Sequence, residues 1–513
     1  VLVLSDDGRP FSSEVTHGGD LVKPQIEKDG IVTLSDNAVR ELHESPLWND
    51  DLRPTTREEH RWTTWNFAAM WISMCLCIPA YALAGGLIAL GMNWWQAVLT
   101  VLLGNLIVLV PILLNAHAGT KYGIPYPVYA RLWFGSKGAH IPALARALIA
   151  AGWFGINCWI GTTAIDGLLQ AVFEGWRSVP GHTALVFLFF WGLNVFVACK
   201  GPESIKNLMR FSAPLLMIAT LGLFAWAMTA AGGFGPMLSA PSKLNTPGEF
   251  FKAFFPSLMG CIAFWSTMAL NIPDFCRYSK SQKAQAVGQS LSLPTSMGVF
   301  SFIAIAVTSA TVVVFGEALW DPVAVLTRFP APVILIGAVI ITISSLTLNV
   351  GANVVAPARA IENLWPKRLT FATGALITGI IGILIQPWYI MANFGNYIFG
   401  WLAAYGALLG PIDGIAIADY WLVRKRRLSL PELYRTDGRY HYRGGVNVSS
   451  VIALIVGMAV PVTGRFIPGW GWLWDNALIV GMLVAMIVYT WLMRGHETLV
   501  SAEEYRRLTK TES

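Results

Sequence analysis

Trp71-Ile72-Ser73-Met74-Cys75-Leu76-Cys77-Ile78-Pro79-Ala80-Tyr81 is an apolar run of membrane-spanning character with an Ile-Pro step inside it. A second run, Phe254-Phe255-Pro256-Ser257-Leu258-Met259-Gly260-Cys261-Ile262-Ala263-Phe264-Trp265, continues to Asn271-Ile272-Pro273-Asp274. Proline removes an amide donor and clashes with the preceding turn, so the carbonyls it frees need another partner. Hydrocarbon offers none, and irregular backbone at membrane depth survives only inside protein or beside a wet cavity. Interrupted spans in corresponding halves of a chain point to the binding site of a secondary transporter. The first of these runs is expected to break near Pro79, and the second to open around Pro256 and Gly260.

Composition agrees with this placement. Of 513 residues, 55% are hydrophobic and 13% charged, against roughly 25% charged in a soluble domain. Apolar runs of about 20 residues predict an all-α integral membrane protein with twelve spans, near 64–90, 94–117, 141–172, 183–199, 209–231, 251–274, 287–316, 332–356, 370–387, 391–422, 447–464 and 471–493. Loops after even-numbered spans hold Lys121, Arg131 and Lys137; Lys200, Lys206 and Arg210; Arg277, Lys280 and Lys283; Arg359, Lys367 and Arg368; and Arg424-Lys425-Arg426-Arg427. Those after odd-numbered spans hold only Arg177, Lys243, Arg328 and Arg465. Cytoplasmic loops carry the excess of Lys and Arg, so both termini are placed in the cytoplasm of a multi-pass cell-membrane protein. The net charge of +6 thus reports topology in a lipid bilayer and not a nucleic-acid partner.

Three divisions are expected: a mobile cytoplasmic tail over 1–47, a transporter domain over 48–495, and a cytoplasmic C-terminal tail over 496–513. The tract from Trp48 to Trp62 mixes charge with aromatic rings and reads as an interfacial segment or a gate-side plug. Six cysteines in or beside apolar runs read as small apolar residues and not as a disulfide framework. The eight histidines avoid the span centres, which argues against a membrane enzyme. Nothing repeats as a channel filter of carbonyl or charge rings would.

In the third span, Trp153 and Asn157 lie four residues apart and share a helix face. Trp265, just beyond Pro256 and Gly260, offers a second ring to stack on a planar ligand, and Asn353 shares a face with Asn349 in the eighth span. Carboxamides donate and accept at once, which suits uracil-like or hydantoin-like edges. Each residue also has a plainer reading: intramembrane Trp often serves packing, and Asn often bonds a neighbouring helix. Asp166 and Asp413 are the proton-coupling candidates, against the alternative that each caps broken backbone. Asp419 beside Arg424, and Asp274 beside Arg277, read as ion-paired helix ends.

Further stretches complete a pattern: Asn49-Asp50-Asp51-Leu52-Arg53-Pro54, Asn115-Ala116-His117-Ala118-Gly119-Thr120-Lys121, Gly152-Trp153-Phe154-Gly155-Ile156-Asn157, Asn271-Ile272-Pro273-Asp274 and Ala418-Asp419-Tyr420-Trp421. Together they resemble the nucleobase:cation symporter-1 family of purine, pyrimidine, allantoin and hydantoin permeases over about residues 47 to 495. The resemblance implies a five-plus-five inverted repeat with broken helices 1 and 6, plus two C-terminal helices, and alternating access around a midmembrane site. It implies stacking by Trp153 and Trp265 and an amide contact by Asn353. The third-span amide, commonly Gln in hydantoin- and allantoin-type relatives, is the shorter Asn157 here. The resemblance also implies a sodium site built from carbonyls near Ser73, Leu76 and Ser344 and the Thr347 hydroxyl. Its second hydroxyl position is Leu348, which supplies no oxygen, so the coupling ion is sodium or a proton. The expected function is cation-coupled import of a small planar nitrogen heterocycle such as allantoin, hydantoin, uracil or cytosine, without organic cofactor. A carrier for a larger ring such as a vitamin is the alternative.

Overall fold

The computed structural model describes residues 23–200, 206–362, 364 and 368–512. Lys367 of one basic loop and the first 22 residues of the N-terminal tail lie outside the described residues. The first span is broken where the Ile-Pro step predicts it. Helices α1 (Asp36–His43), α2 (Thr64–Cys75) and α3 (Ile78–Ala89) open the chain, and α2 and α3 meet at 61° across Leu76 and Cys77. Cys77 is extended (φ −145°, ψ 152°), and Pro79 falls in the first turn of α3, where a missing amide costs nothing.

Next come α4 (Trp94–Tyr122), α5 (Tyr126–Phe134), α6 (His140–Val172), α7 (His182–Cys199) and α8 (Lys206–Ala230). The sixth span corrects the expected opening at Pro256 and Gly260. Helix α9 (Pro247–Phe264) runs through both, and the interruption falls at Trp265 (φ −101°, ψ 3°) before α10 (Ser266–Cys276). The carbonyl one turn before Pro256 belongs to Lys252, an exposed residue, so its lost bond does not force the helix open. Gly260 is a packing glycine: a Cβ there would sit 2.6 Å from Ile398.

The remaining helices are α11 (Gln282–Phe315), α12 (Ala331–Leu348), α13 (Val355–Glu362), α14 (Phe371–Leu384), α15 (Ala403–Ile417), α16 (Val448–Thr463), α17 (Ala477–Leu492) and α18 (Ala502–Leu508). A π-helical turn, Asn349–Val354, joins α12 to α13 within one span, and two more flank α15. Among the described residues, eight helices are long and apolar enough to cross a bilayer, or nine counting α2 with α3. Three shorter apolar helices, Pro214–Ala230, Phe371–Leu384 and Ala477–Leu492, lie within predicted spans.

From residue 23 onward the expected mobile tail is folded. Strands β1 (Gln25–Lys28) and β2 (Ile31–Leu34) pair antiparallel, and β1 pairs in parallel with β3 (Thr509–Glu512) from the other end of the chain. Buried Gln25 fixes the register, its amide donating to Thr509 Oγ1 at 2.7 Å and its Oε1 accepting from the Leu430 amide at 2.9 Å. The aromatic tract before the first span is stitched to the ends of two spans. Thr55 donates its amide to the Gly123 carbonyl at 2.9 Å, and the Trp62 amide donates to Tyr278 at 2.8 Å. Gly123 has φ +64°, and a Cβ there would meet Thr55, so this junction requires glycine.

Both expected ion-paired helix ends change. Asp419 and Arg424 do pair, at 2.8 Å, but as a fully buried couple and not at a wet edge. Asp274 instead accepts the Tyr126 amide at 2.7 Å at the start of α5, while Arg277 donates to the Asp51 carbonyl at 3.2 Å. The amide at the start of α5 and the positive end of that helix favour a carboxylate there, while Arg277 is buried and engaged elsewhere.

Candidate functional site

Small residues let α6 sink into the bundle. A Cβ on Gly155 would lie 2.2 Å from the Gly382 carbonyl of α14, and one on Gly152 would meet the Trp401 ring at 2.1 Å. Such close backbone approach is how membrane helices pack without a hydrophobic driving force. It turns the face carrying Trp153 and Asn157 inward, toward the break in the sixth span and the π turn of the eighth. There Trp153, Asn157, Trp265 and Asn353 line one cavity of about 120 Å3. Met74 near the end of α2 and Cys77 in the first-span break line it too, as does Leu348.

The polar groups are wired before any ligand arrives. Asn157 donates to the Trp153 carbonyl of its own helix at 2.9 Å, leaving its Oδ1 as the group to be read. Asn353 donates to Asn349 Oδ1 at 3.1 Å, and Asn349 donates to Asn194 Oδ1 at 3.1 Å and to the Phe154 carbonyl at 3.2 Å. Asn349 is therefore a positioning residue at the root of the chain, and the π turn Asn349–Val354 sets the rotation at which Asn353 reaches the cavity. Single-turn π segments in α-helices commonly mark functional sites.

Among the lining residues that sequence reasoning did not assign to the site are Arg146, Phe264, Thr267 and Asn271. Phe264 packs edge-on against both indoles, its centroid 5.4 Å from Trp153 and 4.9 Å from Trp265. Trp265 Nε1 and Asn271 Oδ1 are buried without a hydrogen-bond partner. Buried polar atoms left unpaired are costly, and both of these belong to residues that line the cavity. Arg146 was detectable as a cation within the predicted third span, and Asn271 as a polar residue beside the second Ile-Pro step.

The ion candidates divide. Ser344 and Thr347 are buried, and the Thr347 hydroxyl donates to the Ile343 carbonyl at 2.9 Å, which keeps its lone pairs free to accept a cation. Ser73 is exposed, and Leu76 lies in the first-span break. Leu348 turns hydrocarbon toward the cavity where the second hydroxyl would stand. Asp166 does not line the cavity. It sits near the end of α6, accepting from Trp176 at 2.8 Å, Thr183 at 3.0 Å and Gln170 at 2.9 Å, with His182 Nδ1 2.7 Å away. Asp413 also stands outside the cavity wall, but it accepts from Asn115 at 2.7 Å, and that same Asn115 amide donates to the Ala269 carbonyl of α10 at 3.0 Å.

A family model described as permease for cytosine/purines, uracil, thiamine, allantoin matches residues 54–492. The chain is 40% identical over 508 residues to the purine-uracil permease NCS1 of Arabidopsis thaliana, spanning 94% of this chain and 84% of that protein. It is 39% identical over 460 residues to the allantoin permease of Bacillus subtilis (strain 168), spanning 88% and 94%. Among solved structures, Mhp1 in its inward-facing conformation superposes with a TM-score of 0.75 at 25% identity, over 91% of this chain and 98% of that one. Mhp1 closed around bromovinylhydantoin superposes with a TM-score of 0.72 at 26% identity, over 90% and 99%.

Proposed function

We propose, because this chain belongs to the nucleobase:cation symporter-1 family of permeases for cytosine/purines, uracil, thiamine and allantoin, that it imports a small planar nitrogen heterocycle by cation-coupled alternating access. The chain is a transporter, since its family is made of permeases. Allantoin, hydantoin, uracil and cytosine are the candidate substrates, and the observation that carries this choice is the shared cavity of Trp153, Trp265, Asn157 and Asn353. Its volume of about 120 Å3 falls below the roughly 300–1,000 Å3 of drug-sized sites. That favours a single ring over a vitamin-sized one. The proposed frame is twelve spans in the cell membrane with both termini cytoplasmic. Spans 1–5 and 6–10 form an inverted repeat, and the breaks at Leu76–Cys77 and at Trp265 are its corresponding points. Counterflow of labelled allantoin, hydantoin, uracil and cytosine in proteoliposomes tests the reading. Saturable exchange of at least one, recovered chemically unchanged, is expected; exchange of none would overturn it.

Within this reading Asn353→Ala weakens binding more than Asn157→Ala. Asn353 is held by a chain of carboxamides reaching Asn194, whereas Asn157 bonds only its own helix. Removing one partner of a buried polar contact costs about 1–3 kcal/mol. Equilibrium binding of the labelled substrate checks the order, and equal affinities would refute it.

Sodium dependence is expected to be weak, because hydrocarbon at Leu348 withholds an oxygen from a hard cation. Asp413 is the better supported proton carrier of the two candidates, since its partner Asn115 also grips α10. Leu348→Thr should raise sodium stimulation of uptake. Tight, saturable sodium stimulation in the unmodified protein, with no response to a pH gradient, would sink the idea.

A further inference from the structure

The two tails and the span ends beside them enclose a second cavity, of about 470 Å3, lined by Lys121, Lys425, Arg426, Arg427 and Arg506 with one carboxylate, Glu27. Five cations crowd around a single anion. Among the described residues, Glu27 forms an ion pair only with Lys121, at 3.9 Å, and accepts the Tyr505 hydroxyl at 3.0 Å. Among the described residues, Lys425, Arg426, Arg427 and Arg506 have no carboxylate within ion-pair distance. Like charges repel at this spacing, so the cluster persists only because other forces hold it.

Those forces are visible in the turn after the tenth span. Lys425 (φ +50°) and Arg426 (φ +62°) are consecutive non-glycine residues in the left-handed region, which L side chains rarely adopt. The turn is pinned: the Arg426 amide donates to Tyr420 at 2.7 Å, and Tyr122 donates its hydroxyl to the Arg426 carbonyl at 2.7 Å. Arg424, immediately before it, is locked in a buried network. Backbone strain maintained this way clusters at ligand sites, where it presets the geometry.

Position narrows the chemistry. Lys121 is the penultimate residue of α4 and Gln282 the first of α11, so the cavity lies at the ends of two apolar helices, where the headgroups of a surrounding bilayer would be met. Arg and Lys donors converging on a pocket suit the oxygens of a phosphate, and basic pockets at span ends bind anionic headgroups. We infer that this cavity binds a phosphate group, belonging either to an anionic phospholipid or to a free phosphate compound. Binding neutralises the cluster and ties the N-terminal strands and α18 to the ends of the second and tenth spans. The inference does not depend on what the transporter carries.

The test uses the full chain in a non-ionic detergent, with thermal unfolding as the readout. Pyrophosphate is titrated in one arm; in the other, phosphatidylglycerol is compared with phosphatidylcholine in mixed micelles. A saturable rise in Tm that fades with added salt is expected in at least one arm. A response to pyrophosphate assigns a soluble phosphate, and a response to phosphatidylglycerol alone assigns a headgroup. Replacing Arg427 and Arg506 by Gln should weaken the apparent affinity by about fivefold for each cation removed. Glu27→Gln removes the only carboxylate, keeps an acceptor for Tyr505, and should tighten binding. No rise in either arm, an unchanged rise in the double variant, or weaker binding by Glu27→Gln would overturn the proposal.

Discussion

Asp419→Ala is expected to destabilise the protein by about 3–5 kcal/mol, the penalty for leaving a buried charge without its partner. Arg424 has no solvent exposure on its side chain, and its Nε donates to both oxygens of Asp419, at 3.1 and 2.8 Å. Its other nitrogens are spent on the Thr498 carbonyl at 2.9 Å, the Tyr442 hydroxyl at 2.7 Å and the Leu132 carbonyl at 3.2 Å. Tyr489 donates its hydroxyl to Asp419 at 2.5 Å, and the guanidinium lies 4.9 Å from the Tyr440 ring centroid. Every polar group is satisfied, so removing the carboxylate leaves a cation that water cannot reach. Replacing both residues together, Asp419→Leu with Arg424→Met, should recover most of the loss, because exchanging a buried pair for apolar groups of similar volume is often neutral or stabilising. Thermal unfolding of the purified variants separates the cases. A loss under about 1 kcal/mol for Asp419→Ala would show that the network can release Arg424 to solvent.

How far this molecule was legible in its sequence depends on the range of the signal. Span positions are local: a run of apolar residues about 20 long announces itself, and the Ile-Pro step at Pro79 announces its own break. Trp153 and Asn157 were paired by a four-residue spacing that any helix would bring onto one face. The break of the sixth span was misplaced for a physical reason. Proline disturbs a helix through a lost amide bond and a ring clash, but at Pro256 the residue one turn before it, Lys252, is exposed and the helix runs on. The chain opens instead at Trp265, a residue with no breaking propensity, held there by its packing against Trp71 and Phe264.

Long-range features were illegible for a different reason. Gln25 meets Thr509 across almost the whole chain, and four-residue strands carry no period that distinguishes them from a polar tail. Asp419 and Arg424 looked like a surface pair because their spacing is local, whereas the residues that bury them, Leu132, Tyr442, Tyr489 and Thr498, come from three distant segments. Burial decides whether such a pair is worth little or several kcal/mol. The orientation of Asn353 likewise depends on Asn194, an asparagine in a span with no motif around it.

Trp265→Ala is expected to reduce substrate affinity by tenfold or more. Stacking contributes about 0.5–1.5 kcal/mol beyond the area an aromatic ring buries, and a tryptophan at the centre of a desolvated site commonly carries about 2 kcal/mol or more. Trp265 fits that description: it is 5% exposed, lines the cavity, and ends α9 at the one non-helical point of its span. Its Nε1 is buried without a hydrogen-bond partner, so its N–H is unspent. Trp153→Ala should follow the same direction, with an added loss of packing against Phe264, Tyr397, Trp401 and Tyr405. Truncating a buried Trp also costs about 3–5 kcal/mol of stability, so weak binding by the alanine variant alone does not separate a lost contact from a loosened fold. Trp265→Phe resolves this. It keeps an aromatic ring beside Trp71 and Phe264 while removing the indole N–H together with the five-membered ring that carries it, so it should cost less stability than the alanine variant while still losing part of the affinity. Direct binding of a labelled heterocycle to both variants, alongside thermal unfolding, provides the comparison. Unchanged affinity in Trp265→Ala would move the ligand off this ring and leave the break at Trp265 as a hinge without a stacking role.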